Sequence, residues 1–371
     1  MRAMRTPWKP RLHLARRQRR ASLARRKRVV TAIVIPLLVI YTLVTLFPFY
    51  VLFVRTFVGT KDATTLHLWL PPQEQVNMDA EVGNLSIFYN LDIKEMKQDL
   101  GIPASAYIQP RTTLAQLSEQ YGVPVEDIER YFARFGRYSG WIVLFSSPDL
   151  LPAAARSVLV TVVSLLGINV LSICTGYGLA GLRRKDQMLI YNLYLLEMVI
   201  PPMLIILPQF MIVQWLIGLI PGSDQAGPAR YAGQLISLIL INIQGGALST
   251  MLFTSAIGSI PRDIEEAALA DGATRLQYLR HILLPLMKVP IASLTVIMLP
   301  LFWNQFLQPY VYLDPPNTTF LPLIQNYSGQ YTTNYQVVYT AVFVSIVPLV
   351  ALYLIFRRWF IQGVMAGAIK G

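Results

Sequence analysis

Asp263, Glu265 and Glu266 place three carboxylates on four consecutive positions. They have no partners for bond-making chemistry. His13, His67 and His281 are scattered without ligand spacing, and Cys174 is the only cysteine, so neither a cysteine metal site nor an internal disulfide can form. No catalytic residue and no metal site is expected. The spacing that begins at Glu266 is suited to mechanical work instead: Glu266-Ala267-Ala268, three residues, Gly272, nine residues, Ile282, one residue, then Leu284-Pro285.

The residues around this spacing specify its elements. Pro261 suits a first helical turn, where its missing N–H would have no partner. Asp263, Glu265 and Glu266 then lie near the positive end of the helix dipole. Ile264, Ala267 and Ala268 fall at i, i+3, i+4 and predict a narrow stripe of small apolar residues. Gly272 after Asp271 is a stop that tolerates the left-handed conformation. A second short helix is expected from about Thr274, with Leu276, Leu279 and Leu283 on one side, before Pro285 opens the next hydrophobic run. The product is a helix, a glycine turn and a helix that a partner can approach closely.

Composition says what carries this hairpin. Of 371 residues, 54% are hydrophobic and 14% charged, against ~25% charged in soluble domains, and mean hydropathy is +0.46. Six segments reach the about 20 residues that a helix needs to cross a bilayer: approximately 29–54, 157–182, 187–219, 233–257, 286–307 and 338–361. The expected fold class is an all-α membrane protein with six transmembrane helices. Residues 1–28 carry ten Arg, two Lys and no acid. They abut an apolar run of about 26 residues with no A-x-A-like cleavage site after it, which favours a retained span over a signal peptide. This basic tail reads as a cytoplasmic anchor near anionic lipid rather than a nucleic-acid arm. With the N-terminus inside, the tail, 183–186, 258–288 and the C-terminal end from Arg357 hold 22 of the 32 basic residues, whereas 60–150 has twelve acids against seven bases. Both termini are then expected in the cytoplasm.

Six stretches resemble the permease subunits of carbohydrate-uptake ABC importers, the MalG-like class of binding-protein-dependent inner membrane components. They are Ala155-Arg156-Ser157, Gly176-Tyr177-Gly178-Leu179-Ala180, Ile200-Pro201-Pro202 with Pro208, the stretch 259–273, Trp303-Asn304-Gln305-Phe306, and the terminal Gln362-Gly363-Val364-Met365-Ala366-Gly367-Ala368-Ile369-Lys370-Gly371. The resemblance implies a type I ABC importer fold. It also implies a second permease subunit as heterodimer partner, two cytoplasmic ATPases, an extracytoplasmic solute-binding protein and a prokaryotic inner membrane location. Glu266, Ala267, Ala268, Gly272, Ile282, Leu284 and Pro285 would couple to the ATPases, within a loop at 258–285. Gln362, Gly363, Gly367 and Lys370, in a tail at 362–371, would contact them as well. No G-x-x-x-x-G-K-[ST] occurs in the chain, so Mg-ATP is expected in the partners, with no cofactor bound here and no enzyme activity of its own.

Several features stand apart from this pattern. Glu197 lies within the third apolar segment, where an ionisable group is a functional candidate. With Trp303 and Asn304 it forms a candidate substrate path. Pro201-Pro202, Pro208, Gly245-Gly246 and Pro300 interrupt spans, either as packing kinks or as a cavity lining. The extracytoplasmic loop at 60–150 is far longer than the connection in similar chains. About 75–138 reads as a mostly helical insertion with pieces at 93–100, 114–121 and 125–135, which either packs on the permease or docks the binding protein. Residues 151–361 form the five-helix core. The alternatives are an ABC permease for a non-sugar solute and an ion-coupled secondary transporter. The latter would show inverted repeats and several buried acids, and neither is found in this sequence.

Overall fold

A computed structural model describes residues 10–58, 65–70, 76–89, 91–244, 246–327 and 334–368, with backbone only at 10–29, 87–89, 133–136, 198, 202, 326 and 356–368. The described residues are mostly helical. They hold no strand, only one isolated bridge between Glu81 and Thr113.

The chain opens with α1 (Pro10–Arg55), one helix of 46 residues that joins the basic tail to the first span. The insertion then contributes α2 (Val82–Tyr89), α3 (Ile93–Asp99), α4 (Leu114–Tyr121) and α5 (Val125–Gly136). The last three fall within a residue of the expected pieces. α2 is an addition to them, because Gly83 interrupts a short apolar run. That glycine is required by packing: a Cβ there would lie 2.6 Å from the Pro110 carbonyl oxygen. Met96, Leu114, Leu117 and Ile128 are fully buried in one cluster built by this segment, so the insertion has a hydrophobic core of its own.

α6 (Ser139–Ser146) packs on the last helix, and α7 (Leu150–Ala180) is the central element. It touches helices on several sides and buries a polar as well as an apolar set, Thr161, Ser164, Asn169 and Ser172 among them. In a bilayer, where burial of apolar surface drives little association, such small polar residues let helices approach and bond across. The chain continues with α8 (Arg184–Val199), α9 (Pro202–Gly218), α10 (Pro228–Ile243) and α11 (Ala247–Gly258). Next come α12 (Arg262–Ala270), α13 (Arg275–Tyr278), a π-helical turn at Leu279–Leu283, α14 (Leu284–Leu286) and α15 (Lys288–Trp303). α16 (Leu307–Tyr312), α17 (Phe320–Leu323) and α18 (Tyr335–Ala368) complete it.

Among the described residues, helix length and composition do not by themselves give the expected six spans. Three helices are long and apolar enough by length and composition: Val30–Arg55, Leu150–Ala180 and Tyr335–Ile355. Counting the bent pairs α10–α11 and Arg275–Leu286 with α15 raises this to five among the described residues. The segment expected as the third span is cut into α8 and α9, of 16 and 17 residues. Proline is the reason: Pro201 forces Ile200 out of the helical region, to φ −82° and ψ 116°, because a residue before proline clashes with its ring in the α conformation. At the other end, the expected last span and tail are one helix, since α18 continues unbroken through Gln362, Gly363 and Gly367 to Ala368. Lys370 lies outside the described residues.

The far end of the core, opposite α12, is tied by polar contacts that explain two motif residues. Arg156 donates to the carbonyls of Pro316 and Thr318, at 3.1 and 3.0 Å. Ser157 Oγ accepts from the Phe320 amide at 2.8 Å. Both fix the loop after α16, which Arg230 also holds through Asp314 at 2.5 Å.

Candidate functional site

The acidic start of the hairpin forms α12, with Pro261 at its N-cap and Asp263 and Glu265 in the first turn. It ends in a complete Schellman motif. Gly272 N donates to Leu269 O at 3.1 Å and Ala273 N to Ala268 O at 3.0 Å. These bonds satisfy carbonyls that a helix end leaves orphaned. Gly272 sits at φ +87°, so any side chain there is strained. Thr274 then opens α13 with a capping box, its amide donating to Gln277 Oε1 at 2.7 Å and its hydroxyl accepting from Gln277 N at 3.3 Å. Two rigid turns in three residues make α12 and α13 a stiff unit. Gly272→Ala should cost about 1–2 kcal/mol at that turn. The expected result is faster cleavage of the hairpin by limited proteolysis, with the rest of the chain cut at the wild-type rate. Equal cleavage would remove the role assigned to the turn.

The seven motif residues divide by direction. Glu266, Ala267, Leu284 and Pro285 are exposed, Ala268 is buried, Ile282 is half-buried, and Gly272 is the turn itself. Ala268 packs into a cluster with Ile168 and Phe253 of the membrane helices. Its small size therefore serves the chain's own packing, while Ala267 next to it faces outward. The expected apolar stripe is thus split, and Ile264 remains 40% exposed. The three leucines expected on one side also separate: Leu276 is 73% exposed and Leu283 is fully buried. The π-helical turn at Leu279–Leu283 causes this. Its extra residue rotates everything after Tyr278, a shift that a 3.6-residue period does not anticipate.

A residue outside the motif anchors the hairpin. Tyr177, near the end of α7, donates its hydroxyl to Glu265 Oε1 at 2.5 Å. Its ring also lies 6.4 Å from that of Tyr278, which is buried beneath the hairpin. The sequence spacing singles out Glu266 and passes over Glu265. A 100° step between neighbours on a helix already places them on different faces, and that is the available signal.

Of the candidate path residues, Trp303 and Asn304 are neighbours at the end of α15, and Glu197 lies in α8. Trp303 is buried, and its indole N–H donates to Ser345 O at 2.9 Å. Trp303 thereby joins α15 to α18. Asn304 is exposed at the end of α15. Glu197 is exposed near the break between α8 and α9, and its carboxylate faces Gly246 at the start of α11, 3.6 Å from where a Cβ would stand. A helix N-terminus favours a carboxylate, which gives Glu197 a structural reason to lie there. A polar pair lies nearby, of which the motifs include Gln305 but not Asn242. Asn242 and Gln305 exchange amide hydrogen bonds of 3.1 and 2.7 Å, and Asn242 also donates to Ser164 at 3.2 Å. Its signal in the sequence is a lone amide in Leu240-Ile241-Asn242-Ile243.

The family model of the binding-protein-dependent transport system inner membrane component matches residues 168–365, a range that includes the whole hairpin. Among similar chains, the multiple sugar-binding transport system permease protein MsmG of Streptococcus mutans is 31% identical over 220 residues, 58% of this chain and 75% of that one. The inner membrane ABC transporter permease protein YcjP of Escherichia coli is 24% identical over 338 residues, 90% of this chain and 94% of that one. That near end-to-end match shows a chain of similar length, so the added length is not confined to this protein. A solved bacterial ABC transporter involved in import of the acidic polysaccharide alginate has a chain that superposes with a TM-score of 0.58 at 17% identity, covering 91% of this chain and 98% of that one.

Proposed function

This chain belongs to the family of binding-protein-dependent transport system inner membrane components, and from that premise we propose that it is the permease subunit of an ATP-driven sugar or oligosaccharide importer. The observation that carries this reading is the α12–α13 hairpin. It is stiff, fixed to α7 on one face, and presents Glu266, Ala267 and Leu276 on the other. A unit that is rigid, anchored and uncovered suits the transfer of motion from a partner to the membrane helices.

In this reading two ATPases grip this hairpin and its equivalent on a second permease subunit, and Mg-ATP is bound and hydrolysed by them. Closure of the ATPases rocks the helices between inward-open and outward-open states, and an extracytoplasmic binding protein delivers the solute. Six spans with both termini in the cytoplasm follow if α8 and α9 together make one crossing broken at Pro201-Pro202. The basic tail and the lysines and arginines near the hairpin support that orientation. The insertion at about 75–138 then lies on the extracytoplasmic side. A sugar cargo is supported by the similarity to MsmG, a permease of a multiple sugar-binding transport system.

The test is uptake by vesicles holding the four membrane-associated subunits, with binding protein and labelled oligosaccharides outside and ATP within. Accumulation is expected only with ATP, and ionophores should leave it unchanged. Uptake that follows an ion gradient without ATP would establish the secondary-transporter alternative. ATP-dependent uptake of peptides or amino acids, with no oligosaccharide taken up, would establish the non-sugar one.

A further inference from the structure

Glu265 and Glu266 are neighbours in sequence and opposites in space. Glu266 is exposed, while Glu265 turns back toward the membrane helices and accepts the Tyr177 hydroxyl at 2.5 Å. α12 has few other ties to α7. Ala268 adds a small apolar contact within the cluster that contains Ile168 and Phe253. The other arm of the hairpin reaches the same place, since Tyr278 at the end of α13 is buried with its ring beside Tyr177. Both arms therefore converge on one side chain in the last turn of α7.

α7 is also the helix that can distribute a movement. Gly176, adjacent to Tyr177, is pressed against α11: a Cβ there would stand 2.8 Å from Phe253 Cβ and 3.0 Å from the Thr254 amide nitrogen. A pull on Tyr177 thus acts on a helix locked to its neighbour. Apolar contacts alone let a short helix slide or roll, whereas a directional hydrogen bond to a carboxylate resists both, and bonds to charged groups are the stronger class.

We propose that Tyr177 and Glu265 form the internal latch of the lever, positioning residues that make α7 follow the hairpin when the ATPases move it. Glu266 faces the partner and Glu265 faces the machine. Breaking the latch leaves the partner's grip intact, so ATP hydrolysis continues while α7 lags. This inference rests on the proposed importer function.

The experiment compares solute transported per ATP hydrolysed in the reconstituted importer for the wild type, Tyr177→Phe, Glu265→Ala, Glu265→Gln and the Tyr177→Phe/Glu265→Ala double variant. Tyr177→Phe removes a single oxygen and keeps the ring contact with Tyr278. A fall of roughly tenfold in solute per ATP is expected, with ATPase activity kept, in line with loss of one bond to a charged group. Glu265→Gln retains an acceptor and should recover part of the ratio. The double variant should be no worse than either single one, since both remove the same bond. An unchanged ratio in Tyr177→Phe, or additive losses in the double variant, would overturn the latch. If wild-type vesicles show no ATP-driven uptake, the importer reading itself falls. The latch is then decided by a double-mutant cycle on thermal unfolding of the purified full chain, where zero coupling between the two positions would overturn it.

Discussion

Gly176→Leu should abolish transport and lower the melting temperature of the purified chain, while Gly178→Ala, two residues away, should leave both unchanged or slightly improved. The two glycines belong to one motif and differ only in surroundings. At Gly176 an added Cβ would meet Phe253 Cβ at 2.8 Å and two backbone atoms of α11 at 3.0 Å. Backbone cannot rotate away as a side chain does, so α7 and α11 would have to separate. Overpacking of this kind costs typically 1–3 kcal/mol, and a leucine adds three further carbons to the clash. Gly178 has nothing within 4 Å of its would-be Cβ. There alanine only gains helix propensity, about 1 kcal/mol in an exposed helix interior. Thermal unfolding in detergent and vesicle uptake read the contrast directly. Equal effects at the two sites would mean that the α7–α11 contact does not hold the core.

This pair shows which parts of the molecule a sequence discloses. Gly176 and Gly178 look alike in the chain, and no pattern ranks one above the other. The distinction lies in Phe253 and Thr254, distant in sequence and pressed against only one of the two. Local signals serve better where the physics is local. Gly272 as a helix stop, Thr274 as a helix start and the proline break near 200 are each decided by one or two residues' own backbone preferences. The failures have equally definite causes. The leucine stripe does not survive because a π-helical turn changes the period in mid-segment. The bond of the Trp303 N–H to the Ser345 carbonyl joins positions 42 apart and is invisible to a period. Tyr177 is legible only as part of a motif, since its bond to Glu265 spans 88 positions. Long-range pairing of that sort leaves no periodic trace.

The outward face of the hairpin should lose its partner when its apolar anchor is made charged. Leu276 is 73% exposed on an otherwise well-packed, capped unit. A large aliphatic side chain held out on a rigid helix fits the anchor of a docking surface, and such central anchors cost about 2 kcal/mol or more when removed, about 30-fold in affinity. Leu276→Asp adds the cost of burying a carboxylate on docking, so the purified chain should no longer retain the ATPase subunits when the complex is washed at low concentration. Glu266→Ala should weaken retention less, because an exposed charge at a rim contributes mainly to orientation and rate. The adjacent alanines of the motif separate docking from folding. Ala267→Phe fills the exposed face and should release the ATPases with the melting temperature unchanged. Ala268→Phe enters the cluster of Ile168 and Phe253 and should lower the melting temperature before any partner is added. If Ala267→Phe keeps the ATPases and supports uptake, the exposed face of α12 is not where they bind. Internal packing would then account for Ala268 only.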